Sequence, residues 1–441
     1  MSKAAIEDKE IVQLDIVTAF LESKVEEELY LRLPKEFTPS KNGNVILQSS
    51  GVGLGVSITV RLNRSLYGLK QAGRNWYDTL ETYFVKDMRM RASKFEAGIY
   101  TTEAGATIIA WVDDILLIGS VEEVQNMRTA ICKRFTVKDL GNVKFFLSML
   151  VERDRGRRVI HLSQRVYLEE ILKRFRMDEC KGCTTPMDVK TKLHSKREGE
   201  EVAEKVLYQE AVGSLTYAAI TTCPDIAYAT GLVGRFSGDP SMLHWAAVKR
   251  ILRYLKDSLG LRIRLGRSKD RGFGGRERNG KKAPIIVYAD ADFAGEVDGM
   301  RSTTSFVILD RYGAIVHWKS QRQKTVAKST ADAEFNATTL AVEKGIWLVK
   351  IQAELYGNFE DATPISVFND NQACIASLTN SQFRASTRHV GVRYFWLREL
   401  VQEGEVTLEY LRTDEMIADG LTKGLESGKH QGFTRMLSMM S

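Results

Sequence analysis

The segment Thr107–Ile118, TIIAWVDDILLI, restricts the fold more than any other stretch of this chain. Ile108, Ile109, Trp111 and Val112 on one side and Ile115, Leu116, Leu117 and Ile118 on the other make an apolar run of β character, with Asp113 and Asp114 side by side in its centre. Two adjacent carboxylates in such surroundings carry a desolvation and repulsion cost unless a cation compensates. A β-hairpin with both aspartates at its tip, pinning a divalent metal, resolves that cost. The alternative is a plain polar turn, but such turns favour Gly or Asn, and only Gly119 is near. Asp15, in LDIVTAFLE, lies at the junction of an apolar strand and a helix, from which a third carboxylate reaches the same metals. Taken alone it reads as a helix cap, a role Asp favours.

A chain of 441 residues is too long for one ordinary domain. Its 44% hydrophobic and 27% charged content supplies apolar material for real cores. No uncharged apolar run approaches the roughly 18 residues of a membrane span, so no membrane association is expected. The charged start MSKAAIEDKEIVQ has no signal core. Five cysteines cannot build a disulfide framework, which points to a reducing intracellular compartment. The net charge of +7 leans towards an acidic partner such as nucleic acid.

Residues 268–283, rich in Gly and charge, read as a linker, and Lys190–Lys205 is a second stretch poor in apolar residues. Before the linker the pattern predicts a strand at Val12–Ile16, a helix through Thr18–Leu29 and another at Glu122–Phe135. Strands follow near Lys144–Val151 and Arg158–Leu162, then a helix at Arg165–Phe175 and largely helical chain over 206–260. After it, strands are expected at Ala283–Tyr288, Ser305–Leu309 and Ala314–Trp318, with a further one near Lys324–Ala327. A long helix begins at Ser329, with Ala333, Ala337, Leu340, Ala341, Leu348, Ile351 and Leu355 as its buried stripe. Then come a strand at Ile365–Phe368, helices at 371–379 and 387–402, a strand at Val406–Leu411 and a last helix near Asp414–Thr422. That order predicts an α/β domain with a mixed sheet.

LDIVTAFLESKVEEELYLRLPKEF, RLNRSLYGLKQAGRNWYDTL and WVDDILLIG, in this order and spacing, closely resemble the reverse transcriptase of copia-type LTR retrotransposons. The resemblance continues through FTVKDLGNVKFFLSMLVERD and HLSQRVYLEEILKRF to YADADFAG, KSTADAEF, FNDNQACIAS and IADGLTKG, covering nearly the whole chain. It implies an α/β architecture: a palm over 1–120, then palm end, thumb and connection over 121–267, the linker at 268–283, and an RNase H-like mixed-sheet domain over 284–441.

The resemblance also implies that Asp15, Asp113 and Asp114 are the polymerase triad, holding two Mg²⁺ ions, with Mn²⁺ as a substitute. Phe20 falls where related enzymes place an aromatic gate against the ribose 2′-hydroxyl, although helical spacing fits core packing as well. Lys70 and Gln71 lie in the segment lining the nucleotide and template pocket, where Gly73 stands in place of the family's usual proline. Asp290, Glu334, Asp370 and Asp419 resemble, in order and spacing, the four acids of RNase H, which hold two metals against the RNA strand of a hybrid. Asp292 competes with Asp290, which sits nearer the apolar strand. The partners implied are an RNA template, a DNA primer, the RNA–DNA hybrid and dNTPs, with other Pol and Gag products, in cytoplasmic particles and secondarily the nucleus.

Other signals carry less. Cys180 and Cys183 form one C-x-x-C with no second ligand pair for zinc and read as ordinary thiols. His389, in TRHVGVRYF, lies near the family's KHIDIR segment and reads as orienting a helix; Arg388, Gly391 and Phe395 depart from that pattern. The basic stretches 153–158 and 267–282 are solvated surface that can also track phosphates. Ser148 replaces a glycine of the primer-gripping hairpin, and only fourteen residues precede Asp15 where the family has a fingers segment. Weak or absent polymerase activity is therefore expected of this chain. The rival expectations are hybrid cleavage alone, or a non-catalytic nucleic-acid-binding remnant.

Overall fold

The computed structural model describes residues 1–33, 59–266, 283–356, 364–379 and 391–440. The expected linker (Ala283 apart), the basic stretch 267–282 and His389 lie outside the described residues. The chain forms two compact units, Lys9–Val143 and a second made of Met1–Asp8 with Lys144–Ser441. Among the described residues no helix is long and apolar enough to cross a membrane.

In Lys9–Val143, strands β1 (Glu10–Ile16), β2 (Arg91–Ala92), β3 (Ile99–Thr101), β4 (Thr107–Trp111), β5 (Asp114–Gly119) and β6 (Val137–Asn142) form an antiparallel sheet ordered β2-β3-β4-β5-β1-β6. The apolar run becomes the β4–β5 hairpin, and Ile115–Gly119 of β5 are all buried, as a strand covered on both faces requires. Helices α1 (Ala72–Thr82) and α2 (Val121–Arg134) bring Trp76, Leu80, Val124, Met127 and Ile131 onto Leu14, Ile16, Ile108, Ile115 and Leu117. Each such large apolar side chain contributes about 1.5–3 kcal/mol on burial. A capping box starts α2: the Ser120 hydroxyl accepts from the Glu123 N–H at 3.3 Å, and the Ser120 N–H donates to Glu123 Oε2 at 2.7 Å.

The helix expected over Thr18–Leu29 is a single 3₁₀ turn, Ala19–Glu22. Its would-be continuation instead pairs with a distant segment: Ser65 N–H donates to Ser23 O at 3.0 Å and Val25 N–H to Asn63 O at 3.3 Å. Ladder bonds with residues 63–65 replace the helical ones, a tertiary override of propensity.

In the second unit, β7 (Phe145–Phe146), β8 (Met149–Asp154), β9 (Val159–Ser163), β10 (Arg262–Gly266) and the short strand Met439–Met440 form an antiparallel sheet. Helices α3 (Arg165–Arg174), α4 (Lys205–Thr221), α5 (Ala227–Gly234) and α6 (Met242–Asp257) share a core that includes Leu168, Ile171, Tyr208, Leu215, Val233 and Ile251.

Strands β11 (Ile285–Asp292), β12 (Thr303–Asp310), β13 (Ile315–Arg322), β14 (Ile365–Asn369) and β15 (Val406–Tyr410) make a five-stranded mixed sheet ordered β13-β12-β11-β14-β15. β11, β12 and β13 run antiparallel, while β14 and β15 join β11 in parallel. Helix α7 (Thr330–Tyr356) packs on this sheet through Phe335, Ala341, Val342 and Val349. Helices α8 (Gln372–Thr379) and α9 (Gly391–Gln402) join this core through Cys374, Leu378, Tyr394 and Leu397, while α10 (Ser427–Met436) sets His430 against Tyr254 of α6. The α/β class expected from the element order is the class this chain adopts.

Two local expectations fail. Lys324–Ala327 is not a strand, because Gln323 already turns the chain from β13 towards α7, donating from Nε2 to Thr304 Oγ1 and Ala333 O, both at 2.9 Å. Asp414–Thr422 is not one helix but two 3₁₀ turns, Thr413–Glu415 and Ile417–Leu421, followed by the unforeseen α10. Extended backbone at Met416 breaks the helix so that Met416, Ile417, Ala418 and Leu421 are all buried, and Ser305 Oγ of β12 donates to Ala418 O at 2.8 Å.

Candidate functional site

Antiparallel register puts Asp15 of β1 directly opposite Asp114 of β5, so both side chains leave the same face of the sheet. Asp113 belongs to the two-residue loop Val112–Asp113 that closes the β4–β5 hairpin between Trp111 and Asp114. All three carboxylates are half-buried. Gln13 Nε2 donates to Asp114 Oδ1 at 2.9 Å, and the Tyr67 hydroxyl donates to Asp113 Oδ2 at 3.3 Å. Asp113 Oδ1 is buried without a hydrogen-bond partner. Burial pushes the Asp113 carboxyl above its ordinary range; the Tyr67 hydrogen bond opposes this, and the charges of Asp15 and Asp114 add to it. An orphaned carboxylate oxygen beside further carboxylates has the chemistry a hard divalent cation takes, but Asp15, Asp113 and Asp114 are not drawn together within 4.8 Å.

The loop itself is strained. Val112 has φ 53°, a region that β-branched residues rarely enter, at a cost of about 1–3 kcal/mol. Phe20 is half-buried and packs against the core, its ring 4.6 Å from that of Tyr67, whose hydroxyl donates to Asp113. Lys70 is exposed. Gln71 Nε2 donates to Glu27 Oε2 at 3.1 Å and lines a groove of about 550 Å³ with Glu22, Lys24, Arg74, Asn75 and Arg134.

The second carboxylate set is drawn together more tightly. Asp290 sits near the end of β11, Glu334 in the second turn of α7 and Asp370 just past β14, and one ligand oxygen from each lies within 4.8 Å of the others. Among the described residues no other group of three metal-capable side chains meets this closeness. Asp419, in the Ile417–Leu421 turn, lines the same cleft of about 310 Å³, with Asp292, Thr413, Thr422 and Lys423.

Neighbouring side chains orient each acid. Thr422 Oγ1 donates to Asp290 Oδ2 at 2.8 Å, Thr413 Oγ1 to Asp370 Oδ2 at 2.8 Å, and Asn369 Nδ2 to Glu334 Oε2 at 3.0 Å. Lys423 Nζ pairs with Asp419 Oδ1 at 2.5 Å. Burial is the main cause that pushes both Asp290 and Glu334 upward. Repulsion from Asp419 and Asp370 adds to it at Asp290, and repulsion from Asp290 at Glu334. Asp292 is raised as well, by burial against the pull of Lys423. An all-oxygen cluster whose charges repel one another in a buried cleft fits a divalent cation.

Tyr67, Gln13, Asn369, Thr422 and Lys423 were not singled out by sequence reasoning. Four of them stand inside quoted motifs, in SLYGLKQ, FNDNQ and DGLTKG, but only tertiary contact gives them a carboxylate to hold. The Cys183 thiol donates to the carbonyls of Thr185 and Arg250, both at 3.5 Å.

Known proteins give independent bearings. The family model described as "Reverse transcriptase (RNA-dependent DNA polymerase)" matches residues 1–189. A retrovirus-related Pol polyprotein from transposon TNT 1-94 of Nicotiana tabacum is 35% identical over 100% of this chain and 32% of its own length. That from transposon RE2 of Arabidopsis thaliana is 30% identical over 98% of this chain and 28% of its own. The chain thus spans about a third of the polyproteins it matches. An uncharacterized mitochondrial protein of Arabidopsis thaliana is 31% identical over 54% of this chain and 93% of its own. A crystal structure of LC11-RNase H1 with an RNA/DNA hybrid matches 31% of this chain and 92% of that one at 15% identity, but its TM-score of 0.24 adds nothing to the strand order described above.

Proposed function

The chain belongs to the copia-type retrotransposon Pol family, and from that premise we propose that it is the reverse transcriptase and RNase H part, which copies RNA into DNA and hydrolyses the RNA of the resulting hybrid. One observation carries the reading furthest: Asp290, Glu334 and Asp370 offer oxygens within 4.8 Å of one another in an open cleft. Asp15, Asp113 and Asp114 would hold the cations of polymerisation, and Asp290, Glu334, Asp370 and Asp419 those of hydrolysis. Divalent cations, Mg²⁺ foremost and Mn²⁺ as a substitute, supply charge neutralisation and an ionised nucleophile when bound.

The chain's own residues set the geometry. Gln13 and Tyr67 fix one oxygen each of Asp114 and Asp113, leaving Asp113 Oδ1 free to ligate. Thr422, Asn369 and Thr413 do the same for Asp290, Glu334 and Asp370, while Lys423 balances Asp419. Phe20, backed by Tyr67, is the gate against the ribose 2′-hydroxyl, and Lys70 and Gln71 serve the template and nucleotide. The partners are an RNA template, a DNA primer, dNTPs and the hybrid product. The palm covers residues 1–120, its end with thumb and connection 121–267, and the RNase H-like domain 284–441.

A second reading, hybrid hydrolysis alone, is favoured by the fact that only the second carboxylate set is gathered within ligand reach. One assay tests both. A labelled DNA primer on an RNA template with Mg²⁺ is read for primer extension and for RNA shortening in wild type, Asp113→Asn/Asp114→Asn and Asp370→Asn. Extension lost only in the double variant and shortening lost only in Asp370→Asn supports the two-activity reading. Shortening without extension in wild type leaves hydrolysis alone. Hybrid binding with neither reaction refutes both.

A further inference from the structure

Trp76 of α1 has no part in the chemistry above, yet it reaches the hairpin that carries Asp113. Its indole Nε1 donates to the carbonyl of Val112 at 2.8 Å. The next carbonyl, of Asp113, accepts from the Ile16 N–H at 2.8 Å. Both residues of the two-residue loop are thus held by donors from outside the hairpin, one from β1 and one from α1. The loop needs holding, because Val112 sits at φ 53°. Trp76 has no freedom to leave: it is 2% exposed, edge-on to Phe135 with centroids 5.5 Å apart, and Phe135 is edge-on to Tyr83 at 5.3 Å.

We propose that Trp76 is a positioning residue, whose single N–H holds Val112 in its left-handed conformation and so aims the Asp113 carboxylate. The inference rests on Asp113 being a polymerase carboxylate. An indole offers one donor and no acceptor, so its only polar contribution at this place is the bond to Val112. Phenylalanine fills much of the same volume and cannot make that bond. Released from it, Val112 returns to ordinary φ values and Asp113 turns with it. Glycine at 112 adopts positive φ without strain and removes the need for the tether.

The test uses the full chain as wild type, Trp76→Phe and Trp76→Phe/Val112→Gly. Without metal, amide hydrogen exchange over Val112–Asp114 is expected to quicken about five- to tenfold in Trp76→Phe, the equivalent of one hydrogen bond. Exchange at Ile115–Ile118 stays as in wild type. In primer extension, kcat falls about tenfold while KM for dNTP stays within about twofold, as for an interaction that matters in the transition state rather than in binding. The added Val112→Gly recovers most of kcat. Unchanged loop exchange in Trp76→Phe overturns the proposal, as does quickening spread equally through Ile115–Ile118, which marks a general packing defect. If wild type extends no primer, it is the polymerase reading that fails, and loop exchange alone still decides whether the tether exists.

Discussion

His430 makes the stability of the second unit depend on pH in a way that can be calculated. Its ring lies in α10, 4% exposed, edge-on to Tyr254 at 5.0 Å, with Nε2 buried and unpartnered. Burial pushes the imidazole down to about 4 from its ordinary 6.5. Between those two values the unfolded chain binds a proton that the folded chain refuses, so stability falls as pH falls through that window. At about 1.4 kcal/mol per pH unit, the 2.5-unit gap amounts to about 3 kcal/mol when fully expressed below pH 4, and about 2 kcal/mol by pH 5. Asp225 works in the opposite sense: burial raises it to about 6, so the folded chain takes up a proton more readily there. His430→Phe isolates the histidine, since it keeps an aromatic ring against Tyr254 and removes the titration. Urea unfolding of both proteins from pH 7.5 to 4.5 is expected to give a difference curve that favours the variant by about 2 kcal/mol more at pH 5 than at pH 7.5. A flat difference curve would refute the account.

Two further outcomes follow from close contacts. A Cβ on Gly98, at φ +85°, would lie 2.5 Å from the Ala110 carbonyl oxygen, which cannot retreat without disturbing β4; Gly98→Ala should cost upwards of about 2 kcal/mol in thermal or urea unfolding. Thr422→Val removes the donor to Asp290 Oδ2, and hybrid cleavage should drop about five- to tenfold with stability of the fold little altered, read from RNA shortening beside a melting curve.

The hairpin Thr107–Gly119 was legible because an apolar run interrupted only by two aspartates has few other solutions. The long helix was legible from its alanine stripe, and the order strand, strand, strand, helix, strand predicted the mixed sheet. Asp15, Asp113 and Asp114 were singled out by their place in and beside apolar strands, and Asp290, Glu334, Asp370 and Asp419 by resemblance in order and spacing. What escaped was everything that depends on a distant partner. The residues after Glu22 carry helical spacing, yet the chain from Ser23 to Val25 pairs with residues 63–65. The Ile417–Leu421 turn carries Asp419, but only docking on β12 explains why it is a turn and not a helix.

By itself, then, the sequence determined the hairpin, the order of strands after residue 283 and the long helix α7, with acids near their ends, because periodicity and the cost of buried charge act over a few neighbouring residues. Tertiary structure decided which oxygens meet and which donors orient them. Asp290, Glu334 and Asp370 come within 4.8 Å only because β11 and β14 are parallel neighbours with α7 packed on them. Tyr67, Trp76, Asn369 and Thr422 gained their roles the same way, since a hydrogen bond across tens of residues depends on distance in space, and no spacing along the chain encodes it.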